Sequence, residues 1–352
     1  MNVATTQEFD PEHPDPEHPD PEHPDFMRIL HEGAQTHHEF SDRATKVNRI
    51  ARLVVKPVLR WAPLNDGVLN KLQSYDRPVA PAPDIVTVDS EFGGVPGQMF
   101  WPRGGPRSSS TYLYFHGGGF FAGSVNSYRR LLEQISRESG ARVVSVDYRQ
   151  LPEVHLADTV SDAIRTYESV LEMVDQPDQI VVGGDSAGGY LTFKVAELAR
   201  RRGLPDPAAL IGFSPLLSLD PANERKAAQR AVRVRDAYLP PARVAQIRKR
   251  WLPEGAVIEG FADPFNAVSY ISSPTFLLAT EDEMLRPEAE AFASRLVARD
   301  LDVELHVWRK QVHAFPLLVN YVPEARVAVA DAVAFAERQI HGEHWNLRDS
   351  QA

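Results

Sequence analysis

The chain has 352 residues, a formal net charge of −10, a pI near 5.7 and 43% hydrophobic residues. This length and apolar content suffice for a large core, and the acidic balance argues against nucleic acid as the main partner. The absence of cysteine excludes disulfides, thiolate metal ligands and a cysteine nucleophile. The first residues resemble no signal peptide and no apolar run is long enough to cross a bilayer, so we expect a cytoplasmic protein without stable membrane insertion.

The N-terminal residues 10–25 read DPEHPDPEHPDPEHPD, with three copies of a five-residue PEHPD unit. Dense proline prevents helix and strand pairing, and the remaining charged residues bury no core, so residues 1–25 are predicted to form a disordered tail. The histidines at positions 13, 18 and 23 lie beside carboxylates and are compatible with loose capture of a divalent metal. A solvated tail is the simpler interpretation, and it leaves the role of the repeat open.

A helical periodicity follows over residues 41–61. Pro57 is predicted to kink or end this helix, and the proline-rich residues 78–83 read as an extended connector. The apolar residues that share one side of the predicted helix are Val47, Ile50, Val54, Val58 and Leu59.

Residues 85–88 and 97–101 flank a glycine-rich turn, which predicts an antiparallel hairpin. Beyond the hairpin, short continuous apolar runs alternate with helical patterns, which indicates a parallel sheet with helices on both faces. The runs are residues 112–115, 143–146, 180–182, 209–213, 276–279 and 303–307. Because ligands of such sheets bind outside the carboxyl ends of the strands, candidate site residues are expected just after these runs.

The motif GDSAGG follows the third of these runs and precedes a helical pattern. Its first five residues fit G-x-S-x-G, and the strand–turn–helix context is the one that a nucleophile elbow requires. The hypothesis is that the turn presents Ser186 as a nucleophile. The alternative is a tight strand–helix turn with an ordinary serine.

Three consecutive glycines follow the first run, in the motif HGGGF. Glycine is costly to order, so the triplet needs a physical reason. A serine that attacks a carbonyl creates an oxyanion, which needs preorganised N–H donors. We predict that Gly117 and Gly118 supply two of these donors and Ala187 a third, and that His116 braces the loop.

A serine nucleophile needs a base and an orienting carboxylate. Of the 12 histidines, His313 is the best candidate because it lies on a loop just past the last predicted strand, whereas His306 lies inside that strand. Three carboxylates end the strand at residues 276–279. Asp282 is preferred because a short carboxylate held just past the strand would point toward the histidine loop. Glu281 and Glu283 are predicted to be solvated surface charges.

The motifs HGGGF, DYRQLPE, GDSAGG and HAF together resemble those of the hormone-sensitive-lipase-like esterases, over about residues 80–340. The resemblance implies an α/β-hydrolase fold, with a mostly parallel eight-stranded sheet, helices on both faces and a helical cap. It supports the order Ser186, Asp282, His313 for the catalytic residues. The chain departs from the family at DYRQLPE, where DYRLAPE is usual, and at the acid motif, which reads D-E-M-L instead of D-P-L.

The resemblance also implies a domain organisation. Residues 26–83 are predicted to form an N-terminal helical cap segment, and residues 84–345 the catalytic domain, with a cap insertion at residues 217–260. Apolar side chains that flank the motifs are candidates for a substrate pocket. They are Phe120, Phe121, Tyr190, Phe315 and Leu317.

The sequence therefore predicts a serine carboxylic-ester hydrolase that acts on short-to-medium acyl esters, with no cofactor and no metal. Its expected partner is a small-molecule ester, and it is expected to be a monomer or a homodimer. One alternative is an amidase or deformylase with the same triad. Another is a non-catalytic small-ligand receptor of this fold, such as the gibberellin receptors, which the retained His313 disfavours.

Overall fold

The structure is a computed structural model that describes residues 34–74, 78–219 and 235–342. The predicted tail of residues 1–25 lies outside the described residues. Within them, the strands form one nine-stranded sheet in the order β1-β9-β8-β7-β6-β4-β5-β3-β2. The strands are β1 (Ala34–His37), β2 (Ile85–Phe92), β3 (Val95–Pro102), β4 (Thr111–Phe115), β5 (Arg142–Val146), β6 (Ile180–Asp185), β7 (Ala209–Phe213), β8 (Thr275–Thr280) and β9 (Val303–Trp308).

The predicted strands are confirmed. β2 and β3 form the expected antiparallel hairpin, and each of the six apolar runs lies within one of the strands β4 to β9. β4, β6, β7 and β8 are buried along their whole length, as expected of parallel strands covered on both faces. Their neighbours in the sheet are all parallel, so their carboxyl ends lie at one edge.

The prediction of eight strands is wrong by one, because β1 adds a ninth strand next to β9. β1 has the sequence AQTH, which contains no apolar alternation and therefore gives no strand signal. It pairs in parallel with β9, with Ala34 opposite Leu305 and His37 opposite Trp308. The segment predicted as a helical cap segment, residues 26–83, thus contains an edge strand.

The helices cover both faces of the sheet, and two clusters of buried apolar residues form the core. Among the described residues, no helix combines the length and apolar character needed to cross a membrane. The helices are α1 (Asp42–Ile50), α2 (Lys56–Trp61), α3 (Asp66–Ser74), α4 (Val125–Ser139), α5 (Leu156–Met173), α6 (Ala187–Arg202), α7 (Pro241–Trp251), α8 (Arg286–Val297) and α9 (Pro323–His341).

The first helical segment extends over the predicted length. The Ser41 side chain caps α1 by accepting a hydrogen bond from the N–H of Ala44 at 3.2 Å. A π-helical stretch, Ala51–Val55, connects α1 to α2, and Pro57 lies in the first turn of α2, where its missing N–H costs little. The apolar side of the segment is largely exposed, including Ile50, Leu53, Val54, Val58 and Trp61.

The N-terminal helices and α7 contact each other beside the glycine-rich loop that follows β4. The Arg243 guanidinium of α7 donates to the carbonyl of Leu59 at 3.2 Å, and Arg250 forms an ion pair with Asp66 at the start of α3. At the end of α7, the indole N–H of Trp251 donates to the carbonyl of Gly119 at 2.7 Å. Elements from two distant parts of the sequence therefore lie over the same edge of the sheet.

Candidate functional site

Ser186 lies on a sharp turn between β6 and α6, as the nucleophile-elbow hypothesis requires. Its backbone has φ 51° and ψ −114°, a combination that is unfavourable for a residue with a Cβ. Three backbone hydrogen bonds hold it there: its N–H donates to the carbonyl of Phe213 at 3.0 Å, and its carbonyl accepts from the N–H groups of Leu216 and Tyr190 at 2.9 and 3.1 Å. The turn places the Ser186 hydroxyl beside the N-terminus of α6.

The glycines of G-x-S-x-G are required by close backbone contacts. A Cβ on Gly184 would lie 2.4 Å from the backbone of Gly188, and a Cβ on Gly188 would lie 1.9 Å from the carbonyl oxygen of Phe115. Real Cβ atoms do not approach other atoms this closely. The two glycines therefore allow β6 to turn into α6 directly against the end of β4.

His313 lies on the loop after β9, where the sequence predicts it, and contacts the serine. Its Nε2 is 2.8 Å from Ser186 Oγ. The N–H of the next residue, Ala314, donates to the hydroxyl of Ser214 at 3.2 Å, which ties the histidine loop to the end of β7. The side chain of His313 is buried, so its ring has few alternative positions.

The carboxylate that contacts His313 is Glu283, and the prediction of Asp282 is wrong. Glu283 Oε2 lies 2.9 Å from His313 Nδ1, and its side chain is only 1% exposed. Its second oxygen accepts a hydrogen bond from the N–H of Thr280 at 2.9 Å. Asp282 points toward Arg235 instead, 3.5 Å away, and its side chain is 20% exposed.

The chain turns immediately after β8, and this turn explains why the prediction failed. The N–H of Glu283 donates to the carbonyl of Thr280 at 3.3 Å, so the residue is directed back toward the sheet edge. Side-chain length alone does not reveal the direction of this turn, which the backbone hydrogen bond sets. A usable signal was present, because Leu285 follows Glu283 by two residues, the spacing of the family's D-P-L motif.

A second buried carboxylate, Asp236, holds this turn, and sequence reasoning missed it. Asp236 Oδ2 accepts from the N–H of Met284 at 2.8 Å, next to Glu283. Its other oxygen accepts from the N–H groups of Tyr238 and Leu239 at 2.7 and 2.8 Å. Asp236 thereby joins the chain that leads into α7 to the turn that carries Glu283. No motif in the sequence marks it.

The environment raises the pKa of His313. Burial of the ring lowers the pKa, but the hydrogen bond to Glu283 and the charges of Glu283, Asp236 and Asp185 raise it by more. The imidazolium form is therefore stabilised relative to a histidine in water. This is the form that His313 would take on accepting a proton from Ser186.

In the glycine triplet, the prediction that Gly117 donates to an oxyanion is wrong, because its N–H is already used. It donates to Asp185 Oδ1 at 3.0 Å. In the described part of the chain, no hydrogen bond from the N–H of Gly118 or Gly119 to the protein is found. Ala187 is the first residue of α6, so its N–H has no partner within the helix. The N–H groups of Gly118, Gly119 and Ala187 are thus available as donors on the two segments that flank Ser186.

Asp185 connects the two glycine motifs. Its carboxylate is buried and accepts from the hydroxyls of Tyr114 and Tyr128 at 3.1 and 2.8 Å, in addition to Gly117. Burial raises the pKa of Asp185 to about 6, although these hydrogen bonds oppose the shift. The residue before Ser186 therefore fixes the start of the loop that carries Gly118 and Gly119. In the sequence it stands only as the variable position of the G-x-S-x-G motif.

The rest of the loop after β4 is held by backbone geometry that favours glycine. Gly118 has φ +113°, and a Cβ there would lie 1.9 Å from the carbonyl oxygen of Ala122. Its own carbonyl accepts from the N–H groups of Phe121 and Ala122 at 3.2 and 3.0 Å. A tight turn thus directs the N–H groups of positions 118 and 119.

His116 contacts the same loop from inside, as the bracing prediction expects. Its Nδ1 lies 2.7 Å from the carbonyl oxygen of Gly117. The ring stacks on Tyr148 at a centroid distance of 4.3 Å, and the Tyr148 hydroxyl donates to the carbonyl of His116 at 2.6 Å. His116 is fully buried and therefore belongs to the support of the loop.

Three of the five predicted pocket residues do not line an open pocket. Phe120, Tyr190 and Phe315 have at most 1% of their surface exposed, and Phe120 packs edge-on against Tyr190 at 5.5 Å. These large side chains belong to the core beneath the site. Phe121 and Leu317 are half-buried and remain predictions for the pocket.

Within the described ranges, the side chains that cluster closely enough to bind a metal are His37, His306 and Asp331, and they lie outside this site. Ser186, His313 and Glu283 instead form a chain of two hydrogen bonds from a buried carboxylate to a hydroxyl. Such a chain activates a serine for attack on a carbonyl group.

The sequence profile of the α/β-hydrolase fold family matches residues 112–317, which is more than half of the chain. The chain therefore belongs to this family. Esterase LipU of Mycobacterium tuberculosis is 31% identical over 283 residues, which cover 78% of this chain and 93% of the relative. An acetyl-hydrolase of Streptomyces hygroscopicus is 28% identical over 284 residues, which cover 79% and 92%.

Solved structures agree with this assignment. An esterase from the bacterial hormone-sensitive lipase family superposes with a TM-score of 0.72 at 27% identity, over 86% of this chain and 99% of that structure. The resemblance to hormone-sensitive-lipase-like esterases that the motifs indicate is thereby confirmed.

The raised pKa of His313 predicts the pH dependence of Ser186 reactivity. Labelling of Ser186 by a fluorophosphonate should slow as the pH falls through this pKa, because an imidazolium does not accept the serine proton. The acidic limb of the labelling rate is expected above pH 6.5, the ordinary histidine value. The Asp282→Asn variant should show the same fall in labelling rate over the same pH range. If the labelling rate of the wild-type protein falls only at or below pH 6.5, this account of the site is contradicted.

Proposed function

We propose that the protein is a serine carboxylesterase that hydrolyses short-to-medium acyl esters through an acyl-enzyme intermediate. The observation that carries the proposal is the continuous chain from Ser186 Oγ to His313 Nε2 at 2.8 Å and from His313 Nδ1 to Glu283 Oε2 at 2.9 Å. The relatives named esterase and acetyl-hydrolase support the same reaction class. Glu283 replaces Asp282 as the proposed acid.

Acylation begins when Ser186 Oγ attacks the ester carbonyl while His313 Nε2 accepts its proton. For Nε2 to accept, the ring proton has to lie on Nδ1. Glu283 fixes this tautomer by accepting from Nδ1–H, and its charge stabilises the imidazolium as it forms. Because Thr280 holds the second oxygen of Glu283, the carboxylate keeps this orientation during the reaction.

The oxyanion that forms on the substrate is proposed to bind the N–H groups of Gly118, Gly119 and Ala187. These donors lie on the tight turn after β4 and at the start of α6, which are both fixed before the substrate arrives. Preorganised donors of this kind stabilise developing charge without reorganisation. Asp185 contributes indirectly, since it fixes Gly117 and thereby the start of the loop.

His313 then donates its proton to the leaving alkoxide, and the C–O bond to the alcohol breaks. A water molecule that gives a proton to His313 attacks the acyl-enzyme, and the acid is released as Ser186 regains its proton. Each step uses the same histidine and the same oxyanion donors. No cofactor or metal enters this mechanism.

Substrate size is proposed to be limited by a cap formed from the described parts of the predicted cap segments, residues 34–74, 78–83, 217–219 and 235–260; the remaining residues of 26–83 and 217–260 lie outside the described residues. Arg243 and Arg250 join α7 to the N-terminal helices, and Trp251 joins α7 to the glycine loop at Gly119. These contacts support a cap close to the proposed oxyanion donors, and the proposal is that this cap limits the depth available to an acyl chain.

The alternatives differ in what the same site would do. An amidase or deformylase would use the same residues but has to protonate a poorer leaving group. A receptor of this fold needs no hydrogen bond between a histidine and the serine, so the 2.8 Å contact between His313 and Ser186 favours an enzyme.

The proposed function predicts the acyl preference. Against a series of p-nitrophenyl esters, kcat/KM should be highest at short acyl chains and fall with length, because the cap restricts the pocket. Ser186→Ala should abolish the reaction for every ester. The p-nitroanilides of the same acyl chains should react far more slowly than the p-nitrophenyl esters.

Two results would contradict this prediction. An optimum at long acyl chains with interfacial activation would refute the limited depth. Faster hydrolysis of the anilides than of the esters would favour the amidase alternative.

The glycine loop predicts a loss of turnover with a matched control elsewhere in the chain. Gly118→Ala should lower kcat by roughly 10²–10³, because the new Cβ displaces the loop and misplaces oxyanion donors. Gly104→Ala is the control, since Gly104 has φ +104°, similar to the +113° of Gly118, but no atom lies within 4 Å of the position that its Cβ would take. Backbone strain should therefore lower Tm in both variants, and only Gly118→Ala should lose activity. Equal kcat values for the two variants would refute the role of the loop.

A further inference from the structure

The side chains of His37, His306 and Asp331 converge at the edge of the sheet, outside the ester site. His37 ends β1, His306 lies in the middle of β9, and Asp331 lies on α9. We propose that these three side chains bind a Zn²⁺ ion that ties the N-terminal strand to β9 and α9.

The separations between the donor atoms fit one small metal ion. His37 Nε2 lies 3.1 Å from His306 Nδ1, which in turn lies 3.6 Å from Asp331 Oδ2. In a tetrahedral Zn²⁺ site, neighbouring donor atoms are about 3.3 Å apart. All three donor atoms lie within 4.8 Å of one another, so small side-chain movements suffice. Two imidazoles and one carboxylate form a ligand set typical of zinc, with a fourth position for water.

The second nitrogen of His306 faces a carboxylate, as is usual for a metal-binding histidine. His306 Nε2 lies 3.4 Å from Glu304 Oε2, and Arg338 donates to the other oxygen of Glu304 at 2.6 Å. In metal sites, a carboxylate that is hydrogen-bonded to this nitrogen fixes the tautomer so that the opposite nitrogen presents its lone pair, and a small shortening of the 3.4 Å separation would form that bond here. Here that nitrogen is His306 Nδ1, the atom that faces His37 and Asp331.

The position of His37 is fixed by its neighbour on β9. Its ring stacks on Trp308 with centroids 3.7 Å apart and planes inclined by 2°. His306 is buried, whereas His37 and Asp331 are partly exposed. The inner ligand is therefore rigid and the outer two leave a path from solvent, which a metal site needs.

The site gives β1 an attachment that its sequence lacks. β1 is only four residues long and has no buried residue, so it adds little apolar contact to the sheet. A metal bound by β1, β9 and α9 would stabilise β1 by joining His37 to the ligands on the other two elements. The proposed role of the metal is to hold β1 on the sheet, and the expectation of a metal-free catalytic mechanism is unaffected.

A hydrogen bond between the two imidazoles is the competing explanation for the 3.1 Å distance. It accounts for His37 and His306, and Asp331, 3.6 Å from His306 Nδ1, would then pair with a protonated His306 imidazole. This explanation predicts no change in Tm on addition of Zn²⁺, so a measurement of Tm with and without Zn²⁺ distinguishes the two.

The test is thermal unfolding of the full chain after metal removal by chelation and dialysis, with and without added Zn²⁺. Saturating Zn²⁺ should raise Tm by about 4 °C in the wild type. The rise should be lost in His37→Gln and in Asp331→Asn, which alter the two partly exposed ligands. Mg²⁺ should give no rise, because it prefers all-oxygen sites.

His38→Gln is the matched control, since His38 is exposed and follows His37 directly. The His38→Gln variant should show the same rise in Tm with Zn²⁺ as the wild type. Because every variant retains the N-terminal histidines, any weak binding there affects all of them equally. The absence of a Zn²⁺ response in the wild type, or an undiminished response in both ligand variants, would overturn the proposal.

Co²⁺ provides a second readout on the folded protein. A tetrahedral site should give visible d–d absorption on Co²⁺ addition, and Zn²⁺ should displace it. The ester hydrolysis rate of His37→Gln should equal that of the wild type, which verifies that the variant is folded. A Co²⁺ spectrum that persists in both ligand variants would place the metal on other residues and refute the site.

Discussion

The constraint on which the ester site depends is the parallel arrangement of β4, β6, β8 and β9, which brings their carboxyl ends to one edge of the sheet. Each group of the proposed site follows one of these strands: the oxyanion loop follows β4, Ser186 follows β6, Glu283 follows β8 and His313 follows β9. Because the strands are fully or largely buried and paired on both sides, the loops at their ends start from fixed positions. Groups that are far apart in sequence therefore meet at one point.

Two buried carboxylates set the geometry without contacting the proposed nucleophile. Asp185 holds Gly117, so the donors of the glycine loop are positioned by the residue that precedes Ser186. Asp236 holds Met284, so the turn that carries Glu283 is positioned by the chain that leads into α7. A buried carboxylate is costly unless its oxygens are well paired, and each of these accepts three hydrogen bonds. Movement of the segment before α7 is thereby coupled to the acid turn.

The sequence predicted what depends on periodicity and on backbone motifs. The buried strands, the elbow at Ser186 and the loop histidine His313 all have such signals. It did not predict β1, since a four-residue polar strand has no pattern, nor Glu283, since the direction of a turn is decided by backbone hydrogen bonds such as that from Glu283 to Thr280. The same limit applies to Gly117, because its N–H is lost to the Asp185 carboxylate, a contact between residues 68 positions apart.

The central claim is that Glu283 is the carboxylate that orients His313, and a comparison of kcat for Glu283→Gln and Asp282→Asn tests it most directly. In Glu283→Gln the amide oxygen can still accept from Thr280, so the NH₂ group faces His313 Nδ1 and favours the wrong tautomer. This account predicts a loss of up to about 10⁴-fold in kcat for Glu283→Gln with the fold intact. Asp282→Asn removes only a partly exposed ion pair with Arg235 and should keep kcat near the wild-type value. The reverse result, a large loss for Asp282→Asn and near-normal turnover for Glu283→Gln, would contradict the account.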